Sequence, residues 1–138
     1  MPITKQSLNE IVYQVIGAAI EVHKELGPGL LESVYHKCLK HELDIQGIKY
    51  KSELVVPITF KGLDIDANLR LDLLIEGVLP VELKATNEIA PVFEAQILSY
   101  MKLLDAPKGL LINFNVRNIF KEGQKTFVNE LYRKLLDK

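Results

Sequence analysis

The chain has 138 residues, 48% hydrophobic and 25% charged, with a net charge of −1. That size and balance fit one globular domain with a real core. The near-zero charge excludes a general electrostatic attraction to nucleic acid, so such a contact needs a local patch or a metal that supplies positive charge. The single cysteine, Cys38, excludes an intramolecular disulfide and fits a reducing compartment. No run of about 18 apolar residues predicts a membrane span, and the polar start lacks a signal peptide's apolar stretch. A cytoplasmic protein with no membrane partner is expected.

In chain order, residues 4 to 26 repeat apolar side chains at helical spacing, from Leu8 through Val12, Val15 and Ala19 to Val22. Ser7 with Glu10 three residues on predicts a capping box, with Thr4 as an earlier start. Gly27 and Pro28 stop this helix. A second helix is predicted over residues 30 to 46, ended by Gly47, with Leu31, Val34, Tyr35, Cys38, Leu39 and Leu43 as its apolar positions. Glu32 and Tyr35 are three apart and therefore neighbours. Glu32 reads either as a first-turn acid complementing the helix dipole or as an acid pointing into a site. Tyr35 reads as a core or boundary aromatic. Cys38 is expected to be a small buried apolar residue, and His23, His36 and His41 are expected in solvent.

Residues 48 to 60 read as a strand, with Pro57 at an edge or bulge because it cannot donate to a ladder. Lys61-Gly62 is a turn. Residues 63 to 75 show the clearest period-two alternation and predict a long second strand; residues 78 to 85 predict a third. A helix follows over residues 91 to 104, with Pro91 in its first turn. Its apolar stripe is Phe93, Ile97, Leu98, Met101 and Leu104, while Gln96 and Tyr100 project together. Leu110 to Phe114 is a short and nearly continuous apolar run and predicts a strand buried on both faces. A helix between the third and fourth strands allows a parallel crossover, so the sheet should be mixed. Gly123 marks a turn, Thr126 to Val128 is extended, and residues 129 to 136 close with a short helix. The order is ααβββαβ with a tail helix, an α/β (α+β) fold in one domain over 1–138.

Chemistry concentrates on Arg70-Leu71-Asp72 and Val81-Glu82-Leu83-Lys84. Alternation puts Glu82 and Lys84 on one face. A two-residue loop at Glu76-Gly77 would set Asp72 opposite Val81, with Glu82 on the other face. A three-residue loop, Glu76-Gly77-Val78, sets Asp72 opposite Glu82. The longer loop, or a bulge nearby, is predicted because glycine suits a left-handed position there. Two carboxylates with a neighbouring carbonyl make a hard-oxygen site for Mg²⁺, beside a lysine able to orient an attacking water. The plainer alternative is a solvated sheet face where Asp72, Glu82 and Lys84 form surface ion pairs.

The set Gly29-Leu30-Leu31-Glu32-Ser33-Val34-Tyr35, Arg70-Leu71-Asp72, Val81-Glu82-Leu83-Lys84, Gln96 with Tyr100, and Gly109-Leu110-Leu111-Ile112-Asn113-Phe114 resembles the GxxExxY proteins over roughly residues 5 to 115. That family looks like a branch of the PD-(D/E)xK nuclease superfamily. The resemblance implies a restriction-endonuclease-like core and a Mg²⁺-dependent nuclease, with Mn²⁺ as an alternative ion and DNA or RNA as partner. It implies Asp72, Glu82 and the Leu83 main-chain carbonyl as metal ligands, Lys84 as the residue that positions water, and Glu32 completing the acidic site directly or through a metal-bound water. Gln96 and Tyr100 would border the site, contacting substrate or orienting the lysine. Arg70 stands where the superfamily usually has proline and would contact phosphate or pair with Glu32. The alternative function is a nuclease-fold module that binds nucleic acid or a protein without cutting. A homodimer would follow if the first helix carries more apolar surface than one core buries.

Overall fold

A computed structural model describes residues 2–66 and 69–138. Helix α1 spans Lys5–Leu26 and α2 spans Glu32–Gln46. Thr4, not Ser7, caps α1. Its side chain accepts the Ser7 N–H and its own amide donates to the Ser7 hydroxyl, so the box forms three residues earlier than Glu10 suggested. Gly27 and Gly47 end the two helices at φ 65° and 72°, backbone that glycine adopts without Cβ strain.

Strands β1 (Tyr50–Val55), β2 (Ile58–Phe60), β3 (Leu63–Ile65) and β4 (Arg70–Ile75) occupy the two long strands expected from alternation. Each of those is cut in two. Pro57 follows β1, and β2 pairs only with β3, in a separate two-stranded ribbon. The Val56 amide still donates to the Leu69 carbonyl at 2.9 Å, closing the main sheet below the ribbon. Positions Ala67 and Asn68 of the expected strand lie outside the described residues.

Strand β5 (Leu79–Lys84) follows β4 through the three-residue loop Glu76-Gly77-Val78, with Ile75 paired to Leu79 and Leu73 to Val81. Helix α3 (Pro91–Leu103) then crosses over to β6 (Lys108–Asn113), which runs parallel to β5. A π-helical turn (Ile119–Gly123), which the sequence pattern did not announce, leads into β7 (Gln124–Val128) and the short α4 (Glu130–Arg133). The main sheet has the order β1-β4-β5-β6-β7, mixed as expected.

One face of the sheet packs on α1 and α2. Leu73, Val81, Leu83, Leu110 and Ile112 share a core cluster with Leu8, Val15 and Leu39. The other face carries α3. A Cβ on Gly109 would lie 2.8 Å from the Met101 sulfur, so this glycine lets the helix sit close on β6. All six β6 residues are buried, as the nearly continuous apolar run predicted. His23 departs from expectation: its Nε2 lies 2.8 Å from the Val116 carbonyl, tying α1 to the loop after β6. His36 is likewise half-buried, with Nε2 3.2 Å from the Ser52 hydroxyl.

Candidate functional site

The β4–β5 hairpin is regular from its turn up to the Leu73–Val81 pair. One residue further along each strand the ladder gives way to carboxylates. The Asp72 amide donates to the Glu82 Oε1 at 3.1 Å, and the Leu83 amide donates to the Asp72 Oδ2 at 2.8 Å. The two acids are thus interlocked between the strands, each oxygen replacing a main-chain carbonyl. On the other flank of β4 the β1 ladder pairs Ser52 with Leu73 and Leu54 with Leu71 and skips the level between them. Glu53 sits there at φ 52°. A non-glycine residue in that region costs ~1–3 kcal/mol, and such outliers collect at functional positions.

Burial makes the pair electrostatically expensive. Glu82 is only 3% exposed. Its pKa is pushed up to about 8, first by burial and then by the Asp72 charge; the hydrogen bond from the Asp72 amide and the Lys84 charge offset part of this. Glu32, in the first turn of α2, is exposed as a residue, yet protein crowds its carboxyl. Its pKa is raised by that burial and by Asp72, and lowered by Lys84. The three acids and the lysine therefore share one field, although they come from α2, β4 and β5. Among the described residues, no salt bridge reaches Asp72, Glu82 or Lys84.

Tyr35 explains how Glu32 is aimed. It is fully buried, stacks on Phe114 with ring centroids 4.6 Å apart and planes 7° from parallel, and donates its hydroxyl to the Gly27 carbonyl at 2.6 Å. The same oxygen accepts the Leu30 amide at 3.1 Å. One side chain thus clamps both ends of the Gly27–Leu30 loop, and the start of α2 follows from that clamp.

Helix α3 supplies the opposite wall. Tyr100 is 3% exposed and donates its hydroxyl to the Arg70 carbonyl at 2.9 Å, bracing β4 two residues before Asp72. Burial, then the Glu82 and Asp72 charges, raise its pKa, while a hydrogen bond from Gln96 lowers it. Gln96 is half-buried beside it. Arg70 is exposed and, among the described residues, forms no salt bridge with Glu32. Two residues went unnoticed in the sequence as site neighbours. Phe93, read as part of the apolar stripe, lies with its ring centroid 4.4 Å from the Lys84 Nζ. Asn113, buried at 5% exposure, accepts the Thr86 amide at 3.1 Å and donates to the Thr86 carbonyl at 2.9 Å, latching the chain just beyond Lys84. An asparagine set inside an apolar run, between Ile112 and Phe114, was the available signal. A cleft of about 730 Å³ lies away from these acids and is lined by Lys5, Asn9, Tyr13 and Tyr132 among others.

A mixed sheet with a forked acidic hairpin, a lysine two residues after the second acid, and helices on both faces is the architecture of a restriction-endonuclease-like nuclease domain. The family model described as PD-(D/E)XK nuclease superfamily matches residues 9–127, and the chain belongs to that superfamily. No curated protein and no solved structure matches the chain. No helix among the described residues is long and apolar enough to cross a membrane.

Members of this superfamily generally use divalent metals, and the residues present fit such an ion. Two interlocked carboxyl groups that, among the described residues, form no salt bridge are hard oxygen donors of the kind Mg²⁺-type ions accept, and such ions keep several waters and need only one or two protein carboxylates. Among the described residues, no group of three or more His, Cys, Asp or Glu side chains forms a ready cage. The fit therefore rests on Asp72 and Glu82, with Glu32 in the same electrostatic field.

Proposed function

We propose that the chain is a Mg²⁺-dependent nuclease, of the GxxExxY branch, that hydrolyses phosphodiester bonds of nucleic acid. Asp72, Glu82 and the Leu83 carbonyl hold the ion, and Mn²⁺ can take its place. When bound, the ion supplies Lewis-acid charge beside the phosphate and makes water acidic enough to attack. Lys84 steadies the attacking water and the negative charge that develops on the phosphate oxygens. Glu32 orients water at the edge of the pair. Arg70, exposed at the start of β4, and Gln96 contact the substrate backbone, and Tyr100 sets the position of Arg70 through its carbonyl.

The observation that carries this reading is the Asp72–Glu82 pair, with Glu82 buried and Asp72 half-buried, interlocked by hydrogen bonds and, among the described residues, joined to no salt-bridge partner. Burying an unpaired carboxylate is costly, and a bound divalent ion offsets that cost. Calorimetric titration of Mg²⁺ and Mn²⁺ tests it on the wild type and on Asp72→Ala with Glu82→Ala. Binding is expected in the first and lost in the second, followed by cleavage of DNA or RNA that disappears in Lys84→Ala. A folded wild type that binds neither ion at millimolar concentration, with or without a non-cleavable oligonucleotide, overturns the metal assignment and leaves a binding module as the reading.

A further inference from the structure

Lys84 is one residue from Leu83 and two from Glu82, and its charge is felt by both Glu32 and Glu82. Among the described residues it nevertheless forms no salt bridge with either. Its Nζ stands instead over the face of Phe93, 4.4 Å from the ring centroid. Attraction between an ammonium and the negative face of a ring accounts for that preference when both are half-buried, as they are here.

Phe93 is placed for this by the crossover connection. Pro91 opens α3, and the Phe93 amide donates to the Ala90 carbonyl at 2.9 Å, so the ring sits on the first helical turn. The loop from Lys84 to that turn is latched by Asn113 through Thr86, and the Phe114 amide holds the Lys84 carbonyl at 2.9 Å. The lysine backbone and the ring are therefore fixed relative to one another by independent contacts.

We propose that Phe93 is a positioning residue that perches the Lys84 ammonium on its ring and keeps it off the Asp72–Glu82 pair. A flexible ammonium beside two unpaired carboxylates would otherwise close on them as an internal cation. The perch keeps the carboxylate oxygens open and leaves the lysine at the rim, where an attacking water and a phosphate would arrive. The consequence for metal binding rests on the function proposed above; the perch itself does not.

The first measurement is NMR of the metal-free protein, following the ε-methylene protons of Lys84, assigned with Lys84→Arg. Protons over a ring face are shielded. An upfield position is expected in the wild type and in Phe93→Tyr, and its loss in Phe93→Leu, which keeps apolar bulk and removes the ring. Phe93→Met serves as a second ring-free variant if the leucine variant does not fold. An unchanged Lys84 shift in the ring-free variant overturns the proposal.

Calorimetry with Mn²⁺ alone reads the consequence. Phe93→Leu is expected to weaken binding about fivefold, the size of one partly exposed cation–π contact. The effect should vanish when Lys84→Met is the starting protein, because the competing ammonium is gone. Equal weakening in both backgrounds means that Phe93 acts by packing alone and overturns the perch. A wild type that binds no Mn²⁺ sinks the metal reading, and the NMR comparison then decides the perch by itself.

Discussion

The two ends of the β4–β5 hairpin are built from opposite materials. At the turn end, Leu73, Ile75, Leu79 and Val81 are fully buried and the main-chain ladder is intact. At the open end, one residue on, carboxylate oxygens stand in for ladder carbonyls, and the neighbouring β1 ladder skips the same level at Glu53. The apolar end supplies the stability that lets the acidic end exist in a state that water would relieve. Under the function proposed above, the site is the part of the sheet where regular pairing is given up.

The sharpest way to break the contrast is at the apolar end. Leu73→Ala should cost about 2–5 kcal/mol, the lost transfer energy plus a cavity, measured by urea unfolding. Provided the protein stays folded, Mn²⁺ affinity should change little, because Leu73 faces α1 and α2 and not the carboxylates. An affinity loss as large as that of Asp72→Ala would mean that the two ends are not separable.

The acidic end should respond in the other direction. Glu82→Gln keeps an oxygen for the Asp72 amide and removes the ionisation that favours the unfolded chain, so the metal-free protein should become more stable at neutral pH, by less than Leu73→Ala loses. The sign follows from linkage. The Glu82 carboxyl is pushed up to about 8 in the folded protein from an ordinary value of 4.5, so between these values the folded state holds a proton that the unfolded state has released. Stability of the metal-free wild type therefore falls as pH rises through that window and levels off above it. Chemical denaturation in EDTA from pH 4.5 to 9 should show the fall in the wild type and a flatter profile in the variant. A parallel fall in both would assign the effect to other groups.

Sequence alone revealed the hairpin contrast only in outline. The glycine at Gly77 marked a left-handed turn position, and the three-residue loop followed, so the facing of Asp72 and Glu82 was legible from alternation and turn chemistry. The interlock was not, because side chains substituting for carbonyls leave no period in the sequence. The break of both long strands near Pro57 was half legible: proline announced the interruption of one strand, but not that its partner would break at the same level and leave a separate ribbon. Phe93 was hidden for another reason. At helical spacing it is indistinguishable from core, and only the crossover of α3 over the end of β5 brings it to Lys84. The same holds for Tyr35, whose place beside Glu32 was clear from spacing, while its hold on Gly27 and Leu30 depends on a loop conformation that composition does not encode.

Tyr35 gives the smallest but most specific test of how the buried half serves the acidic half. Tyr35→Phe keeps the stack on Phe114 and removes the hydroxyl, leaving the Gly27 carbonyl and the Leu30 amide without that partner. A cost of about 1–2 kcal/mol is expected, smaller than for Leu73→Ala because no cavity opens. Stability alone would not separate a clamp from ordinary packing, so the second readout is the Glu32 carboxyl, followed by carbon-detected NMR titration. Its pKa is raised in the wild type by burial and by Asp72. If the clamp aims α2 at the hairpin, loosening the loop should bring that value down towards an ordinary glutamate's, whereas Leu73→Ala should leave it where it is. A raised Glu32 pKa that survives Tyr35→Phe would show that the helix start is held by the Tyr35–Phe114 stack and the α1–α2 core, with the hydroxyl contributing stability and nothing to the site.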